Sequence, residues 1–314
     1  MATAQTAKTQ YTTGSDGIRY AYRTLGPLHS APRSHSTPPP PLLLHTHHRA
    51  NMDMWDPSLA NALAAHRRVV LFDAAGVGRS SGAVATTFGG WAAHVLALAG
   101  ALGLRAFDVA GFSMGGAAAQ MVALAAPAAV RRLVVRGSTA SAPAEAETGA
   151  GLVWPREGPP PGPVALLAGG EGERGAFEGI AGSFFGGDEE GREHARAYWA
   201  RVHERSVEGE PLMLEMLGDE GSKRQRLAYA DWAAHSPANS WDRFKELKMP
   251  VLVMNGDNDV LIPSSRSWEM TMRIPAQLII YPRSGHGFLY QYAELVAAHI
   301  NMFLDGDGAG SARL

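Results

Sequence analysis

Gly111-Phe112-Ser113-Met114-Gly115-Gly116 is the stretch on which the fold turns. Before it, Phe107-Asp108-Val109-Ala110 reads as a short buried strand. After it, the alanine-rich run Ala117–Ala126 reads as a helix that stops at Pro127. A strand, a Gly-x-Ser-x-Gly turn and a helix together make a nucleophile elbow. The spacing has a steric cause. A serine at the tip of so sharp a turn adopts a strained backbone, and its neighbours two residues away must carry almost no side chain. Gly111 and Gly115 meet that demand. The hydroxyl then stands at the N-terminus of a helix, where free N–H groups and the dipole favour a developing negative charge.

On either side of the elbow, strands and helices alternate. Upstream, Leu42–Leu44 and Arg68–Asp73 read as buried strands. The first runs into His45-Thr46-His47-His48-Arg49-Ala50-Asn51, the second into the turn Ala74-Ala75-Gly76-Val77-Gly78-Arg79-Ser80. Helices are expected over Trp55–Ala65, capped by Asp53 or Asp56, and over Phe88–Leu102. Downstream, Leu133–Val135, Val251–Met254 and Gln277–Tyr281 complete the strands. A helix from Pro263 to about Arg273 and another from about Tyr290 to Leu304 follow the last two turns. Near the N-terminus, Tyr11–Thr13 and Ile18–Thr24 flank Gly14-Ser15-Asp16-Gly17 as a hairpin. Continuous apolar strands alternating with helices imply an α/β fold with a mostly parallel sheet covered on both faces. Sites in such sheets lie beyond the carboxyl ends of the strands, where these turns converge.

Residues 140–240 break the pattern. They hold 17 acidic and 9 basic residues and no strand signal. Helices are expected at Glu189–Ser206 and Gln225–Ala234, and loops at Gly158–Pro163 and in the proline-rich stretch 26–41. The expected division is a core of 1–139 and 241–314 with 140–240 as an inserted helical lid, and a frayed tail from Asp305 to Leu314. The acidic excess reads as a solvated outer face. His47, Trp55, Phe184, Phe185, Trp199 and Trp232 are candidates to line an apolar pocket, with Tyr198 adding apolar surface.

The 314 residues are ample for a large core, and 46% of them are hydrophobic. A net charge of −2 gives no basis for nucleic-acid or membrane-surface binding. The absence of cysteine excludes disulfides and thiolate chemistry. No apolar run approaches the ~20 residues of a spanning helix, and Met1–Gln10 lacks an apolar signal core. A cytoplasmic protein, monomeric or homodimeric, is expected.

Four pieces, each at the end of an expected strand, carry a resemblance. They are the Gly111–Gly116 elbow, Asp73-x-x-Gly76-x-Gly78-x-Ser80, Asn255-Gly256-Asp257-x-Asp259 with Pro263, and Gly285-His286-Gly287. In this order they resemble the α/β-hydrolase superfamily, in particular its lidded esterases, lactonases and cofactor-free haloperoxidase-like members, over about residues 11 to 305. The resemblance implies a Ser–Asp–His triad in chain order. Ser113 is the implied nucleophile, His286 the base that takes its proton, and a carboxylate orients the imidazole. Two aspartates compete for the last role. Family spacing favours Asp259, with Asp257 the alternative and turn formation its plainer explanation.

An oxyanion would be held by the backbone N–H of Met114 and by a second N–H after the Leu42–Leu44 strand. There the family's usual His-Gly is replaced by His45-Thr46-His47-His48, so the donor is His48 or His47, with the alignment of Arg49-x-Asn51 leaning to His48. Glycine is common in the family where Ala50 stands. Alternate histidines at a strand end also suggest a metal site, but the further ligands such a site needs are not in register, so neither metal nor cofactor is expected. Asp73 reads as a structural tie to its turn. The implied activity is hydrolysis of an ester, lactone or thioester of a small to medium apolar substrate through an acyl-enzyme. Perhydrolysis, lyase or cyclase chemistry and a poorly turning-over ligand receptor are the alternatives.

Overall fold

The computed structural model describes residues 1–27, 39–143, 172–185 and 188–306. Most of the proline-rich stretch, the Gly158–Pro163 loop and the end of the tail lie outside them. Eight strands form one sheet: β1 (Gln10–Thr13), β2 (Arg19–Leu25), β3 (Leu42–His45), β4 (Val69–Phe72), β5 (Phe107–Phe112), β6 (Val130–Arg136), β7 (Val251–Gly256) and β8 (Ala276–Tyr281). Their order is β1-β2-β4-β3-β5-β6-β7-β8. The β1–β2 and β2–β4 pairs are antiparallel, and every pair from β4 to β8 is parallel. β3 and β5 are neighbours, yet the chain leaves β3 for β4 on the opposite side. That reversal opens a crevice at the carboxyl ends of β3 and β5. The register sets His45 beside Gly111 and Phe112 beside Arg136 there.

Strand alternation divides the core. Leu42, Leu44, Ala110, Phe112, Val134 and Met254 face one layer, with Trp55, Leu59, Ile300 and Phe184. Leu43, Phe72, Val109, Val135 and Val253 face the other, with Phe88, Trp91, Met121 and Trp232. The helices are α1 (Pro57–Ala64), α2 (Phe88–Ala101), α3 (Met114–Ala125), α4 (Gly172–Phe184), α5 (Glu189–Val202), α6 (Asp219–Ala233), α7 (Ser240–Arg243), α8 (Ser264–Thr271), α9 (Phe288–Gln291) and α10 (Ala293–Asp305). Asp56 caps α1, its side chain accepting from Ser58 N–H at 2.8 Å. The expected closing helix is two: it breaks at Tyr292 (φ −111°, ψ 40°) into α9 and α10. Among the described residues, no helix is long and apolar enough to cross a membrane.

Helices α4 to α6 lie between β6 and β7 and pack on both layers. Sequence periodicity gives no sign of α4, because glycines 172, 175, 179 and 182 depress its helix propensity. Its buried residues Ala176, Ile180, Ala181 and Phe184 supply the tertiary packing that overrides this. Arg201 of α5 reaches both carboxylate oxygens of Asp56 and, at 3.1 Å, the Tyr290 carbonyl. Tyr198 Oη donates to the Met54 carbonyl at 2.7 Å. On the other flank, Arg49 N–H donates to the side chain of Gln225 in α6 at 2.8 Å.

Candidate active site

Ser113 stands between β5 and α3 with φ 57° and ψ −122°. A non-glycine residue there is strained and needs surrounding structure to hold it. Ser113 N–H donates to the Arg136 carbonyl at 2.9 Å, and the Ser113 carbonyl accepts from Gly116 N–H at 2.8 Å. A Cβ on Gly111 would fall 2.0 Å from the Gly115 carbonyl oxygen, and one on Gly115 would fall 2.4 Å from the carbonyls of His45 and Thr46. The close approaches required by the motif are therefore present, the second to the neighbouring strand. Met114 opens α3, where its N–H has no intrahelical acceptor.

His286 is wholly buried on the loop after β8, and its Nδ1 lies 2.7 Å from Asp259 Oδ2. The carboxylate only accepts, so Nδ1 carries the hydrogen and Nε2 bears the lone pair. Asp259 is fixed in turn: its Oδ1 accepts from Leu261 N–H at 2.9 Å and Ile262 N–H at 2.8 Å. Asp257 stands apart. It is exposed and accepts from Ser284 N–H at 3.1 Å, a turn tie. His286 Nε2 has no partner among the described residues.

The glycines flanking His286 make room for α4. A Cβ on Gly285 would come 2.6 Å from the Phe184 carbonyl oxygen, and one on Gly287 would come 2.8 Å from Phe184 Cβ. Gly287 N–H donates to that same carbonyl at 2.8 Å. The Phe184 ring packs edge-on to His286 and His47, with centroids 5.1 and 4.9 Å away, and lies 5.5 Å from Phe112. Phe112 lies 4.8 Å from His286 and 5.8 Å from Tyr290. Phe185 joins this layer through Tyr198, which stacks on Tyr290 at 4.4 Å.

The three histidines at the end of β3 and just beyond it part company. His45 stacks on Trp91 and meets Phe72 edge-on, in the α2 layer. His47 faces Phe112 and Phe184, in the opposite layer. Strand alternation alone would set His45 and His47 on one face, but β3 ends at His45 and the loop carries His47 to the other layer. Among the described residues no three His, Asp or Glu side chains are arranged to hold a metal. Burial pushes His45 down to about 4. Burial, reinforced by His286, pushes His47 to about 3, and burial with Arg49 and Arg226 pushes His48 to about 4. His47 Nδ1–H donates to the His48 carbonyl at 3.0 Å, so its Nε2 is an acceptor.

Asp73 ties two loops, accepting from Met52 N–H and Arg79 N–H at 2.8 Å each. Burial raises it to about 6.

Among the expected pocket residues, the structure packs Phe184 against both His286 and His47, while Phe185 and Trp55 join the same layer. Trp199 is only partly buried, packed against the margin of that layer beside Phe177 and His203. Trp232 sits edge-on to Phe88 in the α2 layer, its Nε1 donating to the Thr139 carbonyl at 3.3 Å. Their faces on α5 and α6 follow helical phase, which aromatic content alone does not give. Phe112, Tyr290 and Arg136 were missed. Phe112 lies inside the elbow, and as an even-numbered β5 residue it shares the face of Ala110, a signal that alternation could have supplied.

The alpha/beta hydrolase family matches residues 42–299 of the chain. Among solved structures, the chain is similar to an alpha/beta hydrolase fold protein from Chitinophaga pinensis, with 30% identity, a TM-score of 0.79, and coverage of 98% of this chain and 100% of that one. It is also similar to an enol-lactonase from Burkholderia xenovorans LB400, with 20% identity, a TM-score of 0.67, and coverage of 95% and 100%. A thermophilic esterase from Thermogutta terrifontis has 20% identity, a TM-score of 0.62, and coverage of 95% and 98%. A comparison with curated proteins finds no match.

Proposed function

The chain belongs to the alpha/beta hydrolase family, and we propose that it is a serine hydrolase of ester-type bonds acting through Ser113, His286 and Asp259. One observation carries this reading. The Nδ1–H of His286 is spent on a buried carboxylate at 2.7 Å, leaving Nε2 without a partner among the described residues on a ring 4.8 Å from that of Phe112, the residue before the elbow serine. Ser113 Oγ attacks the acyl carbonyl while His286 Nε2 takes its proton. The buried charge of Asp259 stabilises the imidazolium. The oxyanion receives the N–H of Met114 and a second N–H from the His47–His48 segment. The tetrahedral centre collapses to an acyl-enzyme, and the leaving alcohol departs with the proton from His286. Water then repeats the sequence and releases the acid.

The aromatic layer of Phe112, Phe184, Phe185 and Tyr198 supports an acyl group of small to medium size, with α4 to α6 as its lid. The lactonase and esterase among the fold neighbours are in keeping with this chemistry.

The test is labelling with a fluorophosphonate, read by intact mass. One adduct on the wild type and none on Ser113→Ala is expected. Absence of an adduct on folded wild type, or an equal adduct on both proteins, would overturn the reading.

A further inference from the structure

A buried cation with no carboxylate partner among the described residues lies one side chain from the candidate nucleophile. Arg136 ends β6, pairs with Phe112 across the sheet and is wholly buried. Its Nη2 donates to the Ala110 carbonyl at 3.4 Å, while Nε and Nη1 have no partner among the described residues. The guanidinium lies 5.0 Å from the centre of the Trp55 ring, which sits edge-on to Tyr290 at 6.5 Å. Trp55 Nε1 and Tyr290 Oη are also buried and without partners. Burial raises Tyr290, so it is a phenol and cannot neutralise Arg136. Burial lowers Arg136 only to about 10, so it stays charged at neutral pH.

Two other wholly buried arginines are treated differently. Arg23 has Asp53 at 2.5 Å, and Arg67 has Asp305 at 2.5 Å. An unpaired buried charge is costly, and so are orphaned donors. Here a guanidinium, an indole N–H and a phenol O–H without partners among the described residues belong to one buried aromatic cluster. The group that answers all three is a small anion. A carboxylate fits best: it is planar, accepts from several donors, pairs with guanidinium by shape, and comes on flat apolar acids that suit these walls.

Phe112 links this cluster to the candidate active site, lying 5.8 Å from Tyr290 and 4.8 Å from His286. We infer that Arg136, Trp55 and Tyr290 form a binding site for a carboxylate borne on the acyl part of the substrate. The substrate is then an acid-tailed ester or lactone, not a wholly apolar one, and hydrolysis yields a product with two acid groups or a hydroxy diacid. This substrate class rests on the serine-hydrolase reading, whereas the carboxylate site itself does not.

The experiment is calorimetric binding of matched acids and amides (butyrate and butyramide, benzoate and benzamide) at pH 7.5 and constant ionic strength. Wild type is expected to bind each acid at least about tenfold more tightly than its amide, the worth of one charge-assisted bond. The preference should vanish in Arg136→Met and shrink several-fold in Trp55→Phe and Tyr290→Phe. Equal binding of acid and amide by wild type, or no binding of either, overturns the inference whether or not the variants fold. So does a preference that survives in Arg136→Met. Fluorophosphonate labelling of wild type runs alongside. Labelling without a carboxylate preference sinks this site alone, and a preference without labelling sinks the hydrolase reading alone.

Discussion

The loops on the two sides of β5 hold the same residue types, a buried aspartate and a buried histidine, and wire them differently. After β7 and β8, Asp259 gives one carboxylate oxygen to two backbone N–H groups and the other to His286. After β3 and β4, Asp73 gives both oxygens to backbone, and His47 gives its Nδ1–H to a neutral carbonyl. The partner of Nδ1 decides what a buried imidazole can do. A carboxylate supports the cation that forms when the ring takes a proton, and a carbonyl supports it far less. In the proposed mechanism one half of the crevice carries the proton transfer. The other holds its histidine neutral, as a hydrogen-bond acceptor and a wall.

The largest effects should separate the two halves outright. Ser113→Ala and His286→Ala should each lower turnover of a simple activated ester by about 10⁵–10⁶-fold with the fold intact by circular dichroism. His47→Phe, which keeps the ring contacts to Phe112 and Phe184, should cost less than about tenfold, since it removes no group that takes a proton. A loss of the same size from His47→Phe would erase the distinction between the halves.

The aspartates come next. Asp259→Asn should lower turnover by about 10³–10⁴-fold, because the amide favours the wrong tautomer of His286. Asp73→Asn should act on stability instead. An amide NH₂ must face one of the two backbone N–H groups, at a cost of about 1–3 kcal/mol. Urea denaturation and steady-state rates on the same samples distinguish the two. Asp73→Asn with intact stability and collapsed turnover would place it in the chemistry.

In the half after β7 and β8 both side chains were legible in the sequence, whereas in the other half Asp73 and its turn were legible and the histidine loop was not. Asp259 and His286 follow strand ends at a spacing set by close backbone approach, and such constraints leave glycines and prolines behind as marks. The His45–Asn51 loop carries no such mark. Arg49 takes φ 62° without being glycine, and Asn51 and Asp53 hold the loop by bonding to Met213 across the chain. Long-range ties of that kind have no sequence period. The same holds for Phe184: its position over His286 depends on a glycine-rich helix that packing, not propensity, sustains. Arg136 continues an apolar strand by one residue, and its burial reflects what Trp55 and Tyr290 bring from elsewhere.

Acid should expose the contrast in stability. His45, His47 and His48, at about 4, 3 and 4, titrate below the unfolded value of ~6.5. Between those limits the unfolded chain binds protons that the folded chain refuses, so their contribution is complete above pH 6.5 and is lost as pH falls. Asp73, at about 6, runs the other way: the folded chain takes its proton first, and stability rises as pH falls from 6 toward 4. Among these four groups three oppose one, and their joint contribution to the slope of stability between pH 6 and 5 should correspond to a net uptake of about two protons on unfolding. His45→Phe preserves the packing on Trp91 and Phe72 and should reduce that slope by up to about one proton. Stability that holds or rises from pH 6.5 to 4 would show that these rings are not kept neutral.

The smallest expected effect is the sharpest control. Asp257 and Asp259 are two residues apart on one turn, and both accept from backbone N–H groups. They differ in exposure and in the imidazole. Asn at position 257 can still accept from Ser284 N–H through its amide oxygen, and its NH₂ points into solvent at no cost. Asp257→Asn should therefore change turnover by less than about twofold and stability by less than about 0.5 kcal/mol. Any larger effect must travel through the Ser284 bond, which shapes the loop that carries His286, and would appear in the Asp259→Asn background as well. Non-additivity in that double variant would mean that the turn tie and the triad are one unit. Additivity would leave Asp257 as the hinge pin of a loop and Asp259 as the carboxylate behind the base.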